Sequence, residues 1–370
     1  ASLGCGLSQS LNQLLFFRVI QGVGGALLLP VGRLSLLKII PRTQFLAAMS
    51  LMSLAGLLGP LAGPTLGGWL VEVATWHWIF LINIPMGVLG ILMTLKVMPN
   101  VKEPTVKTFD LIGFVLLVIA MIGWSLGIEH LASPEYSKWF SISLLVVGAV
   151  ATLWYAYHSH THQNALFRSR LFRNKIYAIG ILGNFFARFG GNALPFVLPL
   201  MLQVAFGFEP FIAGLMMIPL VLGSLFSKPI VRPIIQKMGY RRFLLINTTL
   251  VGLCIASFTI MTVDTPTWFR ALHFFLFGTL NSLQFVGMNT LTLKDLPQQD
   301  ASSGNSFLSM IMMLSMSIGV ALAGTLINVF TDYYGTAHVT TAFHVTLICL
   351  GCINIITALI FWQIPKNTPV

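Results

Sequence analysis

Charge is scarce in this chain of 370 residues: Asp, Glu, Lys and Arg together make up 8% of it, where a water-soluble domain carries about a quarter. With 56% hydrophobic residues and a mean hydropathy of +0.85, that shortage excludes a soluble globule and requires a polytopic membrane protein. Acids are scarcer than bases, 10 against 21. In a soluble chain such an excess would suggest nucleic acid. Here the bases fall between apolar runs, where they set topology, and no nucleic-acid partner is expected. Cysteine is limited to Cys5, Cys254, Cys349 and Cys352, all within apolar segments. Cys349-x-x-Cys352 has metal or redox spacing, but no second pair or histidine accompanies it, so it reads as small apolar packing. No metal site is expected. A Ser/His/Asp set and paired carboxylates on an intramembrane face are missing too, which argues against an enzyme.

A charged leader is also lacking. The first residue is Ala, and residues 1–8 read as the tail of a helix already under way. That argues against a signal peptide and leads to the expectation that N-terminal helices are missing from this chain.

What is present is a series of apolar runs of about 20 residues, bounded by charge, Pro or Gly, each long enough to cross a bilayer. Eleven are predicted: 11–39, 45–71, 78–98, 110–130, 139–158, 175–203, 211–228, 242–263, 268–293, 303–330 and 341–364. Alternate loops and the span ends that meet them hold 17 of the 21 Lys and Arg residues, the opposite side only Lys138 and Arg270, while Arg18 and Arg188 fall deeper inside predicted helices. Positive loops stay cytoplasmic, so the split supports both the count and a cytoplasmic C-terminus. The longest polar insertion, 158–175, carries His158, His160 and His162. Without acidic or thiol company they are read as flanking a positive-inside loop rather than chelating a metal.

The most distinctive stretch is 56–70, with Gly59, Gly63 and Gly67 on one stripe and Pro60 and Pro64 on another, followed by Gly68. Glycines at four-residue spacing let a neighbouring helix come close to backbone contact. Prolines remove two donors and bend the helix. The combination predicts a clamped, kinked membrane helix suited to a hinge or seal, with plain small-residue packing as the alternative.

Charged side chains inside a span are costly and are site candidates by default. Arg18 lies one turn before Gln21 and Gly22; it could snorkel outward, hold an anion or lower the pKa of a neighbouring acid. Arg188 shares a helix face with Asn184 and Asn192, four residues to either side, and Pro195 and Pro199 add bends beyond. The stripe predicts a cavity-facing polar surface; a buried structural arginine is the alternative. A second stripe, Asn281, Gln284 and Met288, fits either a permissive binding surface or interhelical hydrogen bonding. Phe185, Phe186, Phe189 and Phe196 could wall a site or face lipid. Acids are the missing part. All ten lie at or near predicted helix ends, with Glu129 the most nearly buried, so a proton-carrying acid is expected in the absent N-terminal segment. His273 and His344 are weaker candidates.

Three of these stretches together resemble the major facilitator superfamily, and within it the fourteen-helix drug:proton antiporter branch. Gly59-Pro60-Leu-Ala-Gly63-Pro64-Thr-Leu-Gly67-Gly68 is similar to the antiporter signature of the fifth helix. Leu14 to Gly25, with Arg18, Gln21 and Gly22, is similar to the fourth-helix pattern. Trp76-His77-Trp78-Ile79-Phe80-Leu-Ile-Asn83-Ile-Pro85-Met-Gly87 is similar to the tryptophan-rich start of helix six. General similarity along the chain is to a subgroup of bacterial inner-membrane multidrug exporters.

The resemblance implies an all-α polytopic membrane protein of the major facilitator fold, two helix bundles, with eleven complete transmembrane helices of fourteen. Residues 1–98 would be the remainder of the N-terminal bundle, 99–174 the two branch-specific extra helices and a cytoplasmic connection, and 175–370 the C-terminal six-helix bundle, with substrate bound between bundles. One departure stands out. The second-half loop motif reads Gln236-Lys237-Met238-Gly239-Tyr240-Arg241-Arg242, with Gln where the family has Asp, so the basic cluster is assigned to topology and bundle locking. The function implied is proton-coupled export of small amphipathic drugs across the bacterial inner membrane by alternating access, in the context of antibiotic resistance. The proton gradient would supply the energy, with no cofactor, and the lipid bilayer, protons and a small-molecule substrate would be the partners; periplasmic or outer-membrane efflux partners stay open. Arg18, Gln21 and Gly22 and the 59–68 motif would serve coupling, and Asn184, Arg188, Asn192, Asn281, Gln284 and Met288 the substrate. The alternatives are a facilitator-type importer, a metal-chelate or siderophore transporter, and a non-transporting sensor, because fold alone does not set direction.

Overall fold

The structure, a computed structural model, describes residues 1–39, 59, 63, 65–98, 109–131, 137–162 and 164–365. All regular structure among these residues is helical, as lipid requires of a chain that must satisfy its own backbone. In chain order the helices are α1 (Ser2–Gly6), α2 (Leu11–Ile39), α3 (65–73), α4 (Trp78–Leu81) and α5 (Asn83–Val97), then α6 (Leu111–Leu131) and α7 (Lys138–Thr161). They continue with α8 (Lys175–Gly191), α9 (Leu194–Leu200), α10 (Pro210–Met216), α11 (Ile218–Ser257), α12 (Thr267–Lys294), α13 (Gln298–Tyr334) and α14 (Val339–Phe361).

Nine stretches among the described residues are long and apolar enough to cross a membrane. Two differences account for the expected eleven. The 45–71 span lies mostly outside the described residues, and 211–228 and 242–263 run together as Pro210–Ile260. That stretch is interrupted at Gly239, whose φ of 73° and ψ of 157° are not helical and fall where a residue without Cβ is favoured. The expected 175–203 span is made of α8, α9 and a π-helical turn at Met201–Ala205. The π turn closes with Phe206 N–H donating to the Met201 carbonyl at 3.1 Å, directly after Pro199, which supplies no backbone donor.

The contacts form two units, Ala1–Val106 with Phe208–Ile218, and Lys107–Gly207 with Pro219–Val370. In the second unit glycines set the helix crossings. Gly252 on α11 meets Gly351 on α14, where a Cβ built on either would lie 2.6 Å from the other's carbonyl oxygen. Gly223 and Gly278 bring α11 and α12 together at backbone distance, and Ser227 Oγ donates to Ser282 Oγ at 2.7 Å across the same seam. Gly123 on α6 meets the Gly148 backbone of α7. Small residues and hydroxyls of this kind carry helix association in lipid, where no hydrophobic force separates helix from tail. Behind them Tyr177, Phe258, Phe274, Phe277, Phe343 and Phe361 are fully buried. The nearest atom at each of these glycines is the other's carbonyl oxygen, which cannot yield as the end of a flexible side chain can. Gly351→Leu is expected to cost at least about 1–3 kcal/mol, read as loss of monodisperse protein in detergent. A variant as monodisperse and heat-stable as the parent would refute the crossing.

The basic turn at 236–242 engages aromatic faces: the Arg241 guanidinium lies 5.1 Å from the Trp362 ring centroid and Lys294 Nζ 4.9 Å from that of Tyr240. These contacts give the cluster an anchoring role beside α12 and α14.

Candidate functional site

In the second unit, α8 and α12 pack along their polar stripes. Asn174 caps α8, its Oδ1 accepting from Ile176 N–H at 3.0 Å and Tyr177 N–H at 3.2 Å, and thereby fixes the helix on which Asn184 and Arg188 stand one turn apart. Arg188 is only 5% exposed. Its Nε and Nη2 donate to Asn184 Oδ1 at 3.2 and 3.0 Å, and Nη2 reaches Asn289 Oδ1 at 3.4 Å. The guanidinium carbon lies 4.5 Å from the Phe285 ring centroid. Asn184 Nδ2 in turn donates to the Gly180 carbonyl at 2.9 Å and to Thr292 Oγ1 at 3.1 Å. The arginine is therefore held by neutral amides and one aromatic face; among the described residues no carboxylate pairs with it. A guanidinium at the centre of a membrane helix costs roughly 2.5–3.5 kcal/mol, and a desolvated cation–π contact returns about 2 kcal/mol. The residual positive field is available to an anion.

Gln284 belongs to an adjoining network. It is 1% exposed, and its Nε2 donates to Thr248 Oγ1 at 3.0 Å and Asn354 Oδ1 at 3.4 Å, while Asn354 Nδ2 donates to the Ala187 carbonyl at 3.1 Å. Met288 is buried. Of the six candidate substrate residues, the structure thus brings Asn184 and Arg188 of α8 against Thr292 and Asn289 of α12, and Asn281 of α12 against Gly191 of α8, while Gln284 turns to α11 and α14. Asn184 and Gln284 have their amides committed to protein partners. Asn281 is half-buried, with its Oδ1 beside Gly191. Asn192 ends α8, its N–H donating to the Arg188 carbonyl at 3.0 Å, and no side-chain bond joins it to the network. Sequence reasoning missed Phe285, Asn289 and Thr292, although they continue the α12 stripe at helical spacing, and Thr248 and Asn354, whose signal is a polar residue in an apolar run.

In the first unit Arg18 is exposed. Its Nη1 donates to Gln21 Oε1 at 3.1 Å, Gln21 Nε2 donates to Ser2 Oγ at 2.9 Å, and the guanidinium carbon lies 4.8 Å from the Phe80 ring centroid. Gly22 has no described atom within 4 Å of its Cβ position. His77 stacks on Trp76 with centroids 3.8 Å apart, and its Nε2 is 3.0 Å from the Ser8 carbonyl, which ties the tryptophan-rich corner to the turn after α1. Pro60 and Pro64 lie outside the described residues. Gly59, Gly63 and Gly67 have no described atom within 4 Å of a Cβ position, and among the described residues a close approach is made at the next position, Gly68. A Cβ on Gly68 would lie 2.5 Å from the Pro210 carbonyl oxygen, and Glu72 Oε1 accepts from Phe211 N–H at 2.8 Å in the first turn of α10. Gly68→Leu is expected to separate α3 from α10 and to lower the unfolding temperature, whereas Gly67→Leu, with no described atom within 4 Å of its Cβ position, is expected to leave it unchanged. Equal effects at both positions would refute this contact.

The remaining candidates have structural ties. His273 Nε2 lies 2.9 Å from Ser257 Oγ and His344 Nε2 3.2 Å from the Met261 carbonyl. Glu129, expected to be the most nearly buried acid, is exposed. Asp110 is the buried one, 7% exposed, and it pairs with His158 at 2.9 Å. His158 flanks the loop, in the last turn of α7, but Asp110 corrects the expectation that it has no acidic company. His160 is 3.1 Å from Ser169 Oγ, and His162 stacks on His158 with centroids 4.7 Å apart. Among the described residues no group of three or more His, Cys, Asp or Glu could hold a metal ion.

Comparison with known proteins agrees with the helical architecture and the signatures. Residues 1–320 and 181–369 match the Major Facilitator Superfamily. The chain is 49% identical over 375 residues to a Salmonella typhimurium protein named as multidrug resistance protein MdtD, covering 99% of this chain and 78% of the relative. A protein of the same name from Salmonella typhi aligns with the same identity and coverage. One from an Enterobacter species is 47% identical over 372 residues, again covering 99% and 78%. The chain therefore belongs to the major facilitator superfamily, whose members are multi-pass, non-enzymatic membrane transporters of small molecules.

Proposed function

We propose that the protein is a proton-coupled secondary active exporter of small amphipathic drugs or related compounds, working across the bacterial inner membrane by alternating access with its C-terminus in the cytoplasm. The observation that carries this reading is Arg188: a guanidinium buried in the last turn of α8, near the middle of the span Lys175–Ala205, 5% exposed, with amide acceptors and an aromatic face but no described carboxylate partner. Such a group attracts an anionic or strongly polar substrate and disfavours an empty, dry site. The partly exposed Phe285, Asn289 and Asn281 line the approach to it, while Asn184, Gln284 and Met288 hold the wall in shape. Arg18 fits coupling. It is hydrogen-bonded on one side and free of described acids, and a carboxyl brought against it would release its proton more readily. The relatives' shared name, multidrug resistance protein, supports export rather than uptake.

The test is reconstitution into sealed proteoliposomes under an imposed pH gradient, recording lumenal pH while a cationic dye, an anionic drug and a metal citrate are added in turn. Substrate-evoked proton movement is the expected result, and Arg18→Ala is expected to abolish its pH dependence while leaving substrate binding intact. No proton movement with any compound, despite verified insertion, overturns the antiport reading.

A further inference from the structure

Between α6, α7 and α13 the second unit holds a half-open cavity of about 530 Å³, within the size range of small-molecule sites. Three helices each give it one stripe. Leu117, Met121 and Trp124 come from α6, Thr152 and Tyr155 from α7, and Phe307, Met310 and Leu314 from α13. On α6 and α13 the positions recur at three- and four-residue spacing, which puts each set on one face. Trp124 Nε1 donates to Thr152 Oγ1 at 3.1 Å and marks the deep end, well inside the spans.

The shallow end is different in kind. It is formed by Ser159 and His160 at the end of α7 and by Ser169, Phe172 and Arg173 in the following loop. That loop is built rather than slack. Leu166 N–H donates to Asp110 Oδ2 at 3.2 Å, and Phe167 N–H to the Tyr155 hydroxyl at 2.8 Å. Ser303 Oγ donates to the Leu166 carbonyl at 2.7 Å, and Arg170 forms an ion pair with Asp300 at 2.9 Å. Asp300 and Asp110 are thereby occupied by Arg170 and His158. Arg173, by contrast, makes no hydrogen bond or ion pair with any described residue, and it stands at the mouth beside the His160–Ser169 pair.

An apolar slot running into the membrane, closed at its surface end by a cation and two hydrogen-bonding groups, has the chemistry of one ligand class. We infer that the cavity binds an anionic phospholipid of the leaflet that meets this arginine-rich loop, with its phosphate against Arg173, Ser169 and His160 and one acyl chain between α6, α7 and α13. Basic pockets at the ends of membrane helices recognise such headgroups electrostatically, and the apolar walls distinguish a lipid from a free phosphate. A bound lipid would fill the junction between the α6–α7 hairpin and α13, so leaflet composition would act on the stability of that junction.

The experiment is native mass spectrometry of the full chain, purified and delipidated, then titrated with phosphatidylglycerol, with phosphatidylcholine of the same acyl chains, and with glycerol 3-phosphate. One tightly held phosphatidylglycerol is expected, preferred over phosphatidylcholine by about fivefold, the effect of one basic side chain near a bilayer surface. Arg173→Gln is expected to remove the preference. Leu117→Trp and Met310→Trp, which fill the slot from opposite walls, are each expected to remove the tightly held lipid while the protein stays monodisperse. The inference is overturned if both lipids are held equally, if Arg173→Gln keeps the preference, if the filling variants still hold the lipid, or if glycerol 3-phosphate alone displaces it.

Discussion

Export of a carboxylate-bearing compound is expected to fall about 10- to 100-fold in Arg188→Gln, the range lost with a hydrogen bond to a charged group, while export of a cationic dye stays level or rises. The asymmetry follows from the charge balance at the α8–α12 seam. Arg188 has only neutral partners, the amide oxygens of Asn184 and Asn289 and the Phe285 ring. Its positive field is therefore not cancelled locally and acts on whatever enters. Glutamine keeps hydrogen-bonding capacity toward Asn289 but removes that field, so anionic and cationic compounds should separate in their response. Arg188→Lys would keep the charge and lose the planar fork that two acceptors hold, giving an intermediate loss confined to the anionic compound. Equal losses for both compounds in a well-expressed Arg188→Gln protein would mean that the arginine only holds the helices together.

The neighbouring amides should behave differently. Asn184 is fully buried, accepting from the guanidinium and donating to Gly180 and Thr292. Asn184→Ala removes the acceptor and leaves buried donors unsatisfied, about 1–3 kcal/mol each, so it should impair every substrate along with the fold. This contrast separates a residue that meets substrate from one that positions it.

Most of the helices were legible because lipid imposes length and uniform hydropathy on each span. The α8 and α12 stripes were legible for a related reason: Asn184 with Arg188, and Asn281, Gln284 and Met288, recur at the helical period, so one element's spacing was enough. What one element's spacing cannot carry was lost. Gln284 meets Thr248 across 36 positions and Asn354 across 70, and Asp110 meets His158 across 48. No local pattern joins such pairs, and a lone His among basic residues reads as surface until its acid arrives from another helix. The approach of Pro210 to Gly68 was not legible for the same reason. A glycine pattern shows where a helix could be approached, whereas the approaching backbone, here Pro210, is set by a segment far along the chain. The cavity beside α13 needed three stripes at once, each of which alone resembles an ordinary apolar face.

The Asp110–His158 pair carries the second large expected effect. Asp110 caps α6, its Oδ1 accepting from Gly113 N–H at 2.9 Å and from His158 Nε2 at 2.9 Å, while Oδ2 accepts from Leu166 N–H at 3.2 Å. One carboxylate therefore joins the start of α6, the end of α7 and the loop beyond. Asp110→Ala loses the cap, about 1 kcal/mol, and leaves three donors unsatisfied in a site that is nearly closed to solvent, so a total loss of at least about 2 kcal/mol is expected. Burial alone would raise the Asp110 carboxyl, but the hydrogen bonds from Gly113, His158 and Leu166 outweigh it and hold the group below its usual value of 3.8. A carboxyl depressed in the folded state contributes stability that is complete above its unfolded value and is lost as pH falls through the folded one. The gap in unfolding temperature between the parent and Asp110→Asn, which keeps a capping oxygen but no charge, should hence narrow as the pH falls below about 4. Thermal unfolding in detergent on either side of that pH measures it. A gap that widened in acid, or an Asp110→Ala protein as stable as the parent, would show that the hairpin is held by its Gly123–Gly148 crossing and that the carboxylate contributes nothing.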